Sequence, residues 1–95
     1  MNKKPVMEPI HPGEILKEEF LDPLEITQRA FARRIDVPVN RINDIIRGRR
    51  SITGDTALRL SYALGTSPEM WMRLQARYEL EKAQDQSGTQ LKKKD

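Results

Sequence analysis

Ninety-five residues carry a net charge of +3; about a third of them are charged and none is cysteine. That length makes one small domain with a modest core, and the missing thiols exclude a disulfide framework, thiol catalysis and a cysteine-held zinc site. No apolar run approaches the ~20 residues of a membrane-crossing helix, and no apolar stretch follows the first lysines, so a cytoplasmic protein without a signal peptide is expected.

Residues 1–9 are polar with two prolines and are expected to be a flexible N-terminus. A first helix is predicted from Pro12 to about Leu21. Ile15, Leu16 and Phe20 share one face, the acids stay outside, and Asp22-Pro23 closes it. Thr27 suits the N-cap of a second helix, whose inward stripe is Ala30, Phe31 and Ile35. Ala32 is small where a neighbouring helix must approach closely. Asp36 tolerates the left-handed conformation of a tight turn, and Pro38 suits the first turn of a third helix, where its missing N–H costs nothing. Ile42, Ile45 and Ile46 give that helix its buried side, and Gly48 ends it as a C-cap. A fourth helix is predicted over 53–64, capped by Thr53, with Asp55 against its positive end. Its buried stripe is read as Ala57, Leu58, Leu60, Ala63 and Leu64, and Gly65 terminates it. Ser67-Pro68-Glu69 is a strong helix start, and the fifth helix is predicted to run to about Ala83. Residues 84–95 read as a disordered tail. No strand-like alternation, internal repeat or glycine-rich phosphate loop is visible, so the fold class is all-α.

Charge is unevenly placed. Residues 28–50 hold Arg29, Arg33, Arg34, Arg41, Arg47, Arg49 and Arg50 against Asp36 and Asp44, five net positive charges, which leaves the rest of the chain net negative by two. One basic face on a mildly acidic body is the electrostatic footprint of a phosphate-backbone binder, and the two helices beneath it have the frame of a helix-turn-helix. With the isoleucines of the third helix turned inward, Val39, Asn40, Asn43, Asp44 and Arg47 face out or flank. Asn40 and Asn43 suit adenine, Arg47 or Arg41 suits guanine, and Val39 suits a thymine methyl. Asp44 either accepts from cytosine N4 or orients a neighbouring arginine. Arg34, Arg49 and Arg50 are phosphate candidates.

The fifth helix carries an apolar stripe broader than a small domain readily hides. Met70, Trp71, Leu74, Gln75 and Tyr78 are the candidate dimerisation residues, since one recognition helix reads few base pairs and a two-fold dimer presents two. His11 is the only histidine. At a helix start it reads as a terminal hydrogen-bonder; no nucleophile–base pair and no metal-ligand cluster is visible, so no catalysis, metal or cofactor is expected.

The pattern His11-Pro12-Gly13-Glu14-Ile15-Leu16, the helix-turn-helix, Ala57-Leu58-Arg59-Leu60 and Trp71-x-x-Leu74-Gln75-x-x-Tyr78 together resemble the HigA antitoxin family of phage-repressor-like (Xre) proteins, also known as virulence-associated protein I. The resemblance spans about residues 10–83. It implies a five-helix, lambda-repressor-like DNA-binding domain that dimerises on a palindromic operator in its own promoter. It also implies a partner, a HigB/RelE-type mRNA endonuclease toxin that the antitoxin neutralises. Gln28 resembles the glutamine such proteins set against phosphate. Asp36 and Pro38 depart from the glycine and Ser/Thr cap common at those positions. Two other readings share the same residues: a stand-alone transcriptional repressor, and a protein-interaction module that binds no DNA.

Overall fold

The computed structural model describes residues 8–87, and no strand occurs among them. Five helical rods surround one apolar core. The first, α1, is three segments end to end: α-helical Pro12–Ile15, π-helical Leu16–Leu21 and α-helical Asp22–Leu24. Then follow α2 (Gln28–Ile35), α3 (Val39–Ile46), α4 (Gly54–Leu64) and α5 (Pro68–Ser87).

The opening of α1 explains its first three residues. His11 is the N-cap: its Nδ1 accepts from the Gly13 N–H at 2.9 Å, and Pro12 takes the first helical position, where no amide donor is missed. Gly13 has no side chain because none would fit: a Cβ there would lie 1.9 Å from the Ile45 carbonyl oxygen and 2.9 Å from the Ile46 Cα. The first turn of α1 therefore rests directly on the last turn of α3.

The expectation that Asp22-Pro23 closes α1 is corrected: the rod continues through Leu24. A prolyl ring clashes with the carbonyl four residues back in an ordinary helix. Here the preceding turn is π-helical; the Asp22 N–H donates to the Lys17 carbonyl five residues back, and the wider turn accommodates Pro23. Lys17 Nζ also donates to Asp22 Oδ2 at 2.8 Å across the same spacing. The actual stop is Glu25, left-handed at φ 56°.

Thr27 caps α2 as expected, accepting from the Ala30 N–H at 3.0 Å. Phe31, Ala32 and Ile35 are buried, but Ala30, placed in the inward stripe by its spacing, is exposed. Asp36 is left-handed at φ 60° and makes the turn. Pro38 precedes the helix as its N-cap rather than sitting in its first turn. Its extended ψ of 144° is the conformation a cap residue needs, although its ring supplies no hydrogen bond. Ile42 and Ile45 are fully buried and Ile46 half-buried. At the end of α3, Gly48 N donates to the Ile45 carbonyl at 3.0 Å and Arg49 N to the Asp44 carbonyl at 2.8 Å. With Gly48 at φ 75°, this is a Schellman motif, so Gly48 lies one position beyond the C-cap, which is Arg47.

Thr53 caps α4, accepting from the Thr56 N–H at 3.3 Å, and Ser67 caps the start of α5, accepting from the Met70 N–H at 3.0 Å. Ala57 and Leu60 enter the core with Leu16, Leu21, Phe31, Ile35, Ile42, Ile45, Ile52 and Trp71. Leu58 does not: it is 61% exposed, and the face of α4 that turns inward carries Thr56 and Ser61 instead. Helix α5 runs past Ala83 to Ser87, so residues 84–87 are helical and not part of a disordered tail. Residues 88–95 and 1–7, also expected to be loose, lie outside the described residues.

Candidate nucleic-acid interface

α2 and α3 are joined by a hydrogen bond between side chains: Asn43 Nδ2, midway along α3, donates to Gln28 Oε1 at the start of α2. Asn40, Asn43, Asp44 and Arg47 follow one another at helical spacing along the side of α3 opposite Ile42 and Ile45. Asn40 and Arg47 are exposed; Asn43 and Asp44 are half-buried. Arg49 and Arg50 are exposed just beyond the Schellman turn. Among the described residues, Arg47, Arg49 and Arg50 enter no ion pair, so their charge is available to an outside anion.

Three sequence candidates are placed differently from this group. Val39 is half-buried and packs against the core, which leaves little of it for a thymine methyl. Arg41 turns toward α4, where its Nη1 lies 3.3 Å from Asp55 Oδ2. Arg34 is exposed at the far end of α2 from Gln28, roughly 9 Å along the axis. It lines a groove there with Asp36 and Tyr62. Asp44 pairs with no arginine among the described residues, so it does not orient one.

Arg59 escaped the sequence reading. Its Nη1 donates to the Ile35 carbonyl at 2.8 Å, its Nε donates to Asp55 Oδ2 at 3.0 Å, and Asp55 also receives Arg41. One carboxylate thus ties α3 to α4, while one guanidinium satisfies a carbonyl at the end of α2. Asp55 and Arg59 are four residues apart on a helix, which was the available signal; the carbonyl partner, 24 residues away in sequence, was not readable.

His11 joins this surface to α5. Its ring lies near where a Gly48 side chain would be and meets Tyr78 edge-on at 4.7 Å between centroids. Burial holds its pKa below the ordinary imidazole value; the nearby Arg50 backbone opposes this, and the Lys82 charge adds to it.

The proposed dimer stripe of α5 is mostly consumed inside the domain. Trp71 is fully buried, tilted against Phe20, with its Nε1–H donated to Thr66 Oγ1 at 2.7 Å. Gln75 is 4% exposed and accepts the Ile52 N–H at 2.7 Å through Oε1. Met70 and Leu74 pack on the core, and Tyr78 packs on His11. Trp71 and Gln75 are therefore corrected from dimer contacts to internal ones: they hold α5 and the 51–53 loop onto the body.

Among the described residues no group of three or more His, Cys, Asp or Glu side chains is placed to hold a metal, and no helix is long and apolar enough to cross a membrane.

The helix-turn-helix family model matches residues 16–71. Virulence-associated protein I of Dichelobacter nodosus is 45% identical over 78 residues, which cover 82% of this chain and 72% of that protein. Antitoxin HigA-1 of Vibrio cholerae is 38% identical over 77% of this chain and 69% of its own length. The structure of Pseudomonas aeruginosa antitoxin HigA with the higBA promoter superposes with a TM-score of 0.87 at 42% identity, covering 92% of this chain and 95% of that one. With the promoter-bound fold, the matched core and the shared sequence all agreeing, the chain belongs to the helix-turn-helix family, in the group that contains virulence-associated protein I and the HigA antitoxins.

Proposed function

We propose that this chain is the DNA-binding antitoxin of a type II toxin–antitoxin pair. As a homodimer it binds a palindromic operator in its own promoter and represses its operon, and it neutralises a HigB/RelE-type mRNA endonuclease in the cytoplasm. It performs no catalysis. The observation that carries the DNA part is the outer side of α3 with the loop after it: exposed Asn40 and the exposed Arg47, Arg49 and Arg50, which enter no ion pair among the described residues, beside an Asn43 already held by Gln28. Amide and guanidinium groups at that spacing read base edges, and the loop arginines neutralise phosphates. Kinship with HigA-1 favours an antitoxin over a stand-alone repressor, whose DNA chemistry would be the same.

Two experiments test this. The purified protein is titrated against a duplex of the DNA upstream of its own coding sequence and against a scrambled duplex of equal length, at several salt concentrations. Preference for the upstream duplex, with affinity falling steeply as salt rises, is expected; equal affinity for both duplexes removes sequence reading. The neighbouring gene is then expressed alone and together with this one. Growth arrest relieved by co-expression supports the antitoxin role, and no arrest in either case leaves a repressor without a toxin.

A further inference from the structure

Of the seven arginines in residues 28–50, Arg41 alone is tied to a carboxylate among the described residues. It sits in the first turn of α3, next to the exposed Asn40, at the end of a recognition helix that meets the groove. Successive residues turn about 100° around a helix, so Arg41 leaves α3 on the flank, out of line with Asn40, Asn43, Asp44 and Arg47. A long cation on that flank faces the wall of a groove, where the phosphates run. Its Nη1 lies instead 3.3 Å from Oδ2 of Asp55, in the first turn of α4.

We infer that Asp55 withholds Arg41 from DNA: its carboxylate occupies the guanidinium that a backbone phosphate would take, and so sets how tightly the chain holds a duplex of any sequence. The inference rests on the DNA-binding reading for its ligand, and on the ion pair itself for its mechanism.

Asp55 is fixed where it stands. Arg59, one turn further along α4, donates Nε to the same Oδ2 at 3.0 Å. That guanidinium is itself anchored, through Nη1 on the Ile35 carbonyl at 2.8 Å. With Arg59 held at both ends, the carboxylate keeps a set position beside the start of α3, and Arg41 is the partner that reaches it from the DNA side.

The Arg41–Asp55 pair is partly open to solvent, with side chains 30% and 60% exposed, so it adds little to the fold and a duplex competes for the arginine. Two effects oppose the exchange. It trades one anion for another without any gain in charge pairing. It also leaves the Asp55 carboxylate, neutralised by Arg59 alone, beside a polyanion.

Such a device has a use. Phosphate contacts raise affinity for every sequence alike, and a reader of one site must leave a great many others. Arg47, Arg49 and Arg50 already present free positive charge to a duplex. Occupying a further cation internally keeps the non-specific hold low.

The test is a salt titration of the full chain, from about 50 to 300 mM, on the upstream duplex and on the scrambled duplex. Wild type, Asp55→Asn, Arg41→Gln and the double variant are compared; unchanged circular dichroism and unchanged mass by light scattering check fold and assembly. Asp55→Asn is expected to bind both duplexes roughly three- to tenfold more tightly at the lowest salt, and to steepen the slope of log affinity against log salt by about 0.9, the value of one more phosphate contact. Arg41→Gln alone is expected to keep the wild-type slope, and the double variant to return to it. A merely structural Asp55 would give neither the gain nor its reversal. The inference is overturned if Asp55→Asn leaves the slope unchanged or shallower. It is overturned equally if Arg41→Gln alone lowers the slope by about 0.9, since Arg41 then already sits on phosphate in the wild type. A gain that survives in the double variant also overturns it and assigns the effect to the lost carboxylate itself. Should Asp55→Asn fail the fold check, Arg41→Gln decides alone, because it leaves Asp55 and Arg59 in place. Equal wild-type affinity for the two duplexes sinks the operator reading, while a steeper slope in Asp55→Asn on both still supports the withheld arginine; a chain that binds neither duplex overturns both.

Discussion

Gly13→Ala separates local preference from packing. By helix propensity alone, alanine should be better than glycine here by about 1 kcal/mol. The structure predicts the reverse. The new Cβ would lie 1.9 Å from the Ile45 carbonyl oxygen, 2.6 Å from its carbon and 2.9 Å from the Ile46 Cα, all backbone atoms at the end of α3. No rotamer change relieves such contacts; α1 and α3 must separate by an ångström or more. Overpacking of this kind costs roughly 1–3 kcal/mol, and more where only backbone can yield. After the propensity gain is subtracted, a net loss of about 2 kcal/mol is expected, a fall in Tm of roughly 8–16 °C for a domain of this size. Gly54→Ala is the control: it also lies in the first turn of a helix, with nothing within 4 Å of its Cβ position. That variant should be neutral or slightly stabilised. Urea and thermal unfolding of both measure the difference. If Gly13→Ala matches or exceeds wild type in stability, the close approach of α1 to α3 is not the reason for the glycine. The same variant should also weaken binding to the upstream duplex, because the displaced element is the C-terminal turn of α3.

Other expectations concern the DNA face, the buried amide and the histidine. Arg47→Ala should cost roughly 1–3 kcal/mol on the preferred duplex and relax base preference, while Arg50→Ala should weaken all duplexes evenly and lower the salt slope by about 1; binding isotherms from 50 to 300 mM salt distinguish the two. Gln75→Leu keeps the volume but leaves the Ile52 N–H buried without an acceptor, so a loss of about 1–3 kcal/mol in denaturant unfolding is expected; a neutral result would mean that the loop finds another acceptor. Because the folded protein holds the His11 pKa below 6.5, the unfolded chain takes up the proton first as pH drops. The stability from neutral His11 is therefore complete above pH ~6.5 and declines as the pH falls from there through the lowered folded value. His11→Asn, which keeps a capping side chain, should flatten that part of the stability–pH curve; an unchanged curve would place the dependence on other groups.

Much of this fold is written locally. Thr27, Thr53 and Ser67 announce helix starts because a hydroxyl three residues from an unpaired amide has little else to do, and each is found capping. The isoleucine spacing of residues 42–46 names the buried side of α3 for the same short-range reason. What was not legible depends on partners far along the chain. Pro23 reads as a stop because an ordinary helix cannot hold it; the turn that admits it is unusual, and nothing in its own residues advertises a change of hydrogen-bond register. Trp71 and Gln75 lie on an apolar stripe that looks too wide for one domain. The excess disappears only when Thr66 and Ile52 are brought beneath them. Leu58 is the converse: spacing puts it on the inner stripe, but Thr56 and Ser61 occupy that face, Ser61 by donating its hydroxyl to the Ala57 carbonyl.

The bond from Asn43 to Gln28 bears on how the proposed reading head would work. An asparagine free to spin must be frozen before it can pair with a base edge, and that freezing subtracts from affinity. Here one amide hydrogen is committed while the protein folds. The carbonyl oxygen and the other hydrogen, the two groups an adenine edge requires, keep a fixed orientation before any duplex arrives. Evolution could therefore retune the preferred letter at this position from Gln28, a residue on a different helix, without altering Asn43 itself.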